Sequence, residues 1–380
     1  MWYRMSLFLN EVKKIFSWKT VLFIVVINIL LFKLLIEFDL KYFPNGRPFG
    51  DMFKIEQEII PIYGIHIDEA EIQNFEQTYE RLKAEANEYI ANDPKAAELN
   101  IVNYEQFRTI NSSEGEKYRD ELFHERGVDF VWALQSYNSY LNNYQYRGVS
   151  MENSKLYYSP RAQDVIQQRL DEEKYSFYDD FVLRNFKTYA TSVAITIFIS
   201  ITLLLATLFI GDKRAGVVPI QYTSKKGRKL FRTKWLAGLV SAGVVTALLT
   251  TLYIGLYTTN NTSSHFDLPL YAFSFTLHWY EMTFFQYIVI IVSLMVFLSM
   301  LLAILTMAVS NIVPNRIALI VSLVVVLFCM IAGVASVVLR RLFELQLPEF
   351  LMPITVTVLV LITVFLTWFT WKREMTKDIL

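Results

Sequence analysis

The stretch FFQYIVIIVSLMVFLSMLLAILTMAV, residues 284–309, carries no charged side chain and is built mainly from Leu, Ile, Val, Phe and Ala. A helix needs about 20 such residues to cross roughly 30 Å of hydrocarbon, so this block alone is long enough. Four more blocks meet that length: Ala190–Ile210, Leu236–Tyr257, Ile317–Leu339 and Leu351–Trp371. Val21–Ile36 is shorter, but aromatics from Trp18 to Phe38 extend it. A chain of 380 residues could hold two or three soluble domains, yet its apolar residues are gathered in blocks rather than spread through a core. The expectation is an all-α polytopic membrane protein with six transmembrane helices. An amphipathic segment (1–19) precedes the first span (20–37). A mainly helical extracellular domain (38–187) is inserted between helices one and two, and five further spans lie in 188–380.

Charge orients the spans. Cytoplasmic loops collect Lys and Arg. Residues 1–20 hold four of them, 211–235 hold eight, 310–316 hold Arg316, and the tail holds Lys372, Arg373 and Lys377. The alternate side has none in 258–283 and only Arg340 and Arg341 in 340–350. Both termini are therefore expected in the cytoplasm of a multi-pass plasma-membrane protein. Residues 38–187 hold 27 Asp and Glu against 17 Lys and Arg, so the zero net charge conceals an acidic exterior and a basic interior. Arg4, Lys13, Lys14 and Lys19 before an apolar run resemble a signal peptide, but Glu37, Asp39 and Lys41 follow instead of a cleavage site; the segment reads as an uncleaved anchor. The single cysteine, Cys329, leaves no internal disulfide and fits a bacterial surface.

In the exterior stretch, DEAEIQNFEQTYERLKAEANEYIAN spaces Ile72, Phe75, Tyr79, Leu82, Ala86 and Tyr89 as one face of an amphipathic helix. RAQDVIQQRLDEEKYSFYDDFVLRNF aligns Ile166, Leu170, Phe177 and Phe181 and is expected to run directly into the second span; Pro94 and Pro160 mark helix boundaries. Tyr137, Tyr140, Tyr144, Tyr146, Tyr157 and Tyr158 are either a ligand surface or, as favoured, packing and headgroup-level rings.

Catalytic signatures are absent. The chain has no G-x-x-x-x-G-K-[ST] loop, no H-E-x-x-H and no G-x-S-x-G, and His66, His124, His265 and His278 stand apart in the sequence. No enzyme activity, metal, cofactor or nucleic-acid partner is expected of this chain.

The segment GDKRAGVVPIQYTSKKGRKLFRTKWLAG, 211–238, holds eight basic residues against Asp212 alone. Gly211 is expected to close the second span's helix, and Thr223 or Ser224 to cap the third's. Anchoring explains the charge; it does not explain the pattern Asp212, Gly216, apolar Val217, Val218, Ile220 and Tyr222, then Ser224, Lys225, Gly227, Arg228 and Lys234. That pattern resembles the first cytoplasmic loop of type-2 ATP-binding-cassette exporter permeases, although the family usually has glutamate where this chain has Asp212. The resemblance implies a coupling helix that docks into separate ATPase subunits, which hold the ATP and Mg, and a second permease chain as homodimer or heterodimer partner. It also implies that Trp2, Phe8, Val12, Ile15 and Phe16 form an interfacial connecting helix in contact with the lipid bilayer. RRLFELQLPEF (340–350) lies where the family places short external helices. A domain of about 150 residues between spans one and two is unlike the simpler members.

Lys33 and Glu37 are one turn apart and can pair, either snorkelling at the outer surface or lining a pathway. Ala237/Ser241, Gly238/Ala242 and Gly243/Ala247 offer small faces for close helix approach. The expected function is export of an amphipathic or hydrophobic substrate (peptide, antibiotic or lipid). The alternatives are a membrane sensor or assembly scaffold with a ligand-binding exterior domain, or a sodium-exporting permease.

Overall fold

The computed structural model describes residues 2–65, 67–216, 227 and 229–376. Among these residues helix dominates. Six helices are long and apolar enough to cross a membrane, the make-up of a multi-pass membrane protein: Trp18–Lys41, Phe181–Lys213, Lys229–Asn260, Phe284–Ile312, Arg316–Arg340 and Leu351–Thr376. They are called spans one to six below. The chain divides into two compact units. One gathers Met1–Lys41, Arg184–Asn261 and Phe285–Leu380; the other gathers Tyr42–Leu183 and Thr262–Phe284.

In the first unit span two is the hub. Its apolar core is 67% buried, against 11% for spans one and six. Val193, Ala194, Ile197, Phe198 and Ile201 have no exposed surface. Lipid tails are as apolar as leucine, so close packing and interhelical hydrogen bonds must hold the spans together. Both are present. A Cβ added at Gly238 would lie 2.4 Å from Met307 Sδ and 3.1 Å from a Leu208 methyl, so span three approaches spans four and two closely, and a larger residue there would have to displace the Met307 side chain. Ala237, Ser241 and Ala242 are buried beside it. Gly243 meets no atom within 4 Å and Ala247 is exposed, so that pair takes no part in the chain's own packing. Asn28 of span one donates to Ser200 Oγ of span two (2.8 Å) and to its own Ile24 carbonyl, and accepts from Tyr253 of span three (3.4 Å).

The second unit is helical: Phe49–Tyr63, Glu69–Ala91, Asp129–Ser154 and Pro160–Asp171, with short helices between. Asp68 and Glu71 form a capping box that starts Glu69–Ala91, and Ile72, Phe75, Tyr79 and Ala86 are its buried face. Pro94 and Pro160 each open a helix. Phe107, Tyr118, Leu122, Val131 and Leu134 fill the core, each side chain of this kind contributing about 1.5–3 kcal/mol by burial.

Two expectations are corrected. The helix from Pro160 stops at Asp171 and does not run into span two. Glu173 turns the chain with φ 54°, and the backbone N–H groups of Phe177 and Tyr178 donate to Ala272 O, so this stretch is drawn out to pair with 272–274. The stretch 341–350 forms turns, not helix. Phe343 there adopts φ 55°, while Leu342 and Leu345 fill the core.

Candidate functional site

The helix Trp2–Ile15 packs along the helix Lys229–Tyr257. Ile15 is buried and Phe8, Val12 and Phe16 are half-buried; Trp2 is a residue of the same helix. Glu11 shares the covered face and is only 3% exposed, a position periodicity alone would assign to an apolar residue. It bonds Lys14 Nζ at 2.8 Å and lies within electrostatic reach of Lys234. Lys234, 4% exposed, pairs with Asp212 at the end of span two. One buried cation thus serves two carboxylates from two other segments. Charges are tolerated at such depth only when paired. An aromatic group encloses the junction: Phe209, Phe231 and Trp235 stand 5.4–6.1 Å apart, and Phe231 lies 5.8 Å from Trp371 of span six.

Span two is interrupted just before Asp212. Its α-helix ends at Leu205, turns follow, and Ile210–Arg214 forms a further helical turn. An interrupted helix strands backbone N–H groups. Ser310 Oγ of span four accepts from the N–H groups of Phe209 (3.3 Å) and Ile210 (3.4 Å) and donates to Ala206 O (2.7 Å), which holds the break in place. Gly211 lies within the last helical turn, and the left-handed residue is Gly216 (φ 65°), so the expected terminator falls five residues later. Gly227 also has positive φ (43°) just before the third-span helix. Lys213 donates to Asn311 O and Arg373 to Ile312 O (3.1 Å), so two of the basic residues cap the carbonyl end of span four. Val217, Val218, Ile220, Tyr222, Ser224, Lys225 and Arg228 lie outside the described residues.

Lys33 and Glu37 do pair, at 2.5 Å, with Lys33 largely exposed. A largely exposed lysine near the end of its span can snorkel toward the surface. A second ion pair, Lys187–Glu344 at 2.8 Å, is nearly buried and ties the start of span two to the turns before span six. Nothing in either local sequence signals it.

The second unit holds its own buried polar cluster. Glu56 Oε1 accepts from Tyr140 Oη (2.7 Å) and Asp179 N (2.9 Å), and Glu56 Oε2 lies 2.8 Å from His265 Nε2. Glu56, Tyr140 and His265 have no exposed surface, and burial first, then Glu56, holds the Tyr140 phenol protonated well above its ordinary range. Ser264 Oγ is 3.0 Å from His265 Nδ1, so serine, histidine and carboxylate meet, but with the two ring nitrogens exchanged relative to a hydrolytic triad, in which the serine faces Nε2 and the carboxylate Nδ1. The imidazole is also enclosed, with Phe53 and Phe273 stacked on it, so no substrate reaches it. The cluster joins Phe49–Tyr63, Asp129–Ser154, the segment before span two and the loop before span four. Among the described residues no group of His, Cys, Asp and Glu could hold a metal ion.

The tyrosines divide. Tyr140 is core and Tyr137 packs on Phe75 at 4.4 Å, while Tyr146 and Tyr157 are exposed. Tyr144 and Tyr175 flank the Arg147 guanidinium, at 3.6 and 5.1 Å from their ring centres, in a cleft of about 630 Å³ also lined by Asp68, Glu172 and Glu173.

Compared with known proteins, the chain matches no family model, no curated protein and no solved structure.

Proposed function

We propose that this chain is the membrane-spanning subunit of an ATP-driven exporter of the type-2 ATP-binding-cassette kind. Separate ATPase subunits dock on the cytoplasmic segment 211–235, and two permease chains form the pathway. The observation that carries the reading is the buried Lys234–Asp212 pair with Glu11 beside it. It fastens both ends of the proposed docking segment, and the N-terminal helix, to one point. A push on 217–226 then reaches spans two and three as a rigid displacement, and span one through Glu11. ATP and Mg belong to the partner subunits.

Five hydroxyls support a second arrangement of the spans. Thr202, Ser241, Thr246, Thr250 and Thr306 are buried in spans two, three and four without a hydrogen-bond partner. Each unmade bond costs about 1–3 kcal/mol, so an arrangement that pairs them lies within reach of ATP-driven motion. Apart from the Lys234–Asp212 and Lys187–Glu344 pairs near their ends, the apolar stretches of the spans carry few charges, which suits an amphipathic or hydrophobic substrate. The cleft beside Arg147 favours a second reading, in which the exterior unit senses a ligand and the cytoplasmic segment recruits a signalling protein.

The test is purification of the chain from its native membrane in mild detergent, asking whether an ATP-hydrolysing subunit accompanies it. The variant Val217→Asp/Val218→Asp/Ile220→Asp should lose that subunit while eluting as a folded permease. Retention of the subunit by the variant, or a kinase or regulator in its place, overturns the docking assignment.

A further inference from the structure

The loop between spans three and four contains LPLYAFSFTLHWY, residues 268–280, which carries no acidic or basic side chain other than His278 and lies between Asp267 and Glu281. It is tightly held. Pro269 and Thr283 form an antiparallel bridge, Leu270 N donates to Met282 O, and Phe284 N donates to Leu268 O. Arg169 donates to His278 O at 2.5 Å, and Lys174 bonds Glu281 at 2.7 Å. Phe273 is fully buried, 5.8 Å from Phe284, the first residue of span four. It also bridges Tyr178, three residues before span two begins at Phe181, and Ser274 N donates to Tyr178 O at 2.7 Å.

Against that frame Phe275 is turned outward. Its φ is 63°, a left-handed conformation that a bulky residue rarely adopts, and its side chain is 77% exposed. Thr276 and Leu277 beside it are half-buried, and Tyr280 is exposed. A rigid, charge-free loop that presents a phenylalanine to water has no stabilising reason to do so. The position supplies the reason. Phe275 is two residues, at most about 7 Å of chain, from a residue packed against the start of span four. The apolar run of that span begins near Ile288, about 6 Å further along the helix. Headgroups occupy roughly 5–8 Å on each side of the hydrocarbon, and aromatic rings gather there.

We infer that the loop 274–280 is a membrane-interface anchor, with the Phe275 ring immersed at the boundary between headgroups and acyl chains. The partner is the lipid surface itself, and the inference does not depend on the exporter reading. Anchoring this loop would fix the helical unit to which it belongs at a set depth.

The single cysteine makes the test direct. In a Cys329→Ser background, Phe275→Cys and, as a second site, Tyr280→Cys carry a nitroxide label on the full chain in lipid nanodiscs. Leu361→Cys in span six serves as the hydrocarbon reference and Val102→Cys, exposed in the helical unit, as the water reference. The labels at 275 and 280 should show a ratio of oxygen to water-soluble nickel-complex accessibility severalfold above that at 102 and below that at 361. A ratio equal to that at 102 places the loop in water and overturns the inference. Low accessibility to both probes shows that protein, such as a second copy, covers the loop, and overturns it equally.

Discussion

Lys234→Met should destabilise the membrane unit more than Asp212→Asn, because Lys234 is the shared cation of two carboxylates. Asparagine at 212 keeps an oxygen for the ammonium, and Glu11 remains as countercharge, so the loss should be about 1–2 kcal/mol, the scale of one charge-assisted hydrogen bond made neutral. Methionine at 234 leaves both carboxylates without it. Breaking a buried pair costs about 3–5 kcal/mol. Asp212 retains 20% exposure and Glu11 retains Lys14, which moves the expectation to about 3 kcal/mol. In the double variant the Asp212 charge is gone, so the total should fall short of the sum of the two single losses by about 1–2 kcal/mol. Unfolding in mixed micelles, followed by tryptophan fluorescence, gives the three values, with Trp235 reporting beside the junction. Equal losses from the single variants, or additivity within about 0.5 kcal/mol, would refute the shared-cation argument.

Three further outcomes follow from the geometry. Ser310→Ala removes the acceptor that holds the break in span two, and should cost about 1–2 kcal/mol and speed hydrogen exchange at Phe209 and Ile210; unchanged exchange there contradicts the assignment. Glu56→Gln cannot accept from Tyr140, Asp179 and His265 together, and should loosen the helical unit by about 2–4 kcal/mol, read as faster proteolysis within 42–183. The pH dependence of that unit should include Asp93. Burial pushes its carboxyl upward, but hydrogen bonds from Tyr118, the Lys95 N–H and Arg126, together with the Arg126 charge, overcome this and leave it below its ordinary 3.8. A carboxylate lowered on folding stabilises above its unfolded value, and that contribution is lost as pH falls through the folded value. Trp132 fluorescence should therefore show an acid transition below pH 3.8 that Asp93→Asn removes; an identical acid limb in the variant would count against it.

The spans were legible because about 20 contiguous apolar residues have few other uses, and the face of Glu69–Ala91 because its period matches helix geometry. Gly238 was legible as a small residue at a packing face, though not which spans it would meet. What escaped reading was polar and long-range. Glu11 looks like a solvated helix residue until its helix packs on Lys229–Tyr257, more than 200 positions away, which brings it within electrostatic reach of Lys234. His265 stands alone in sequence, yet Glu56 meets it at 2.8 Å. The stop at Asp171 depends on Ala272, whose carbonyl draws Phe177 and Tyr178 into extended pairing that local periodicity cannot register. Lys187 and Glu344 pair across three intervening spans for the same reason.

The docking claim is tested most directly by placing a photo-crosslinking amino acid at Val218 in living cells and identifying what it captures. The account predicts a single ATP-hydrolysing subunit, with the adduct lost when Gly227→Pro and Lys225→Glu alter the segment. Capture of lipid alone, or of a kinase or regulator, would contradict it.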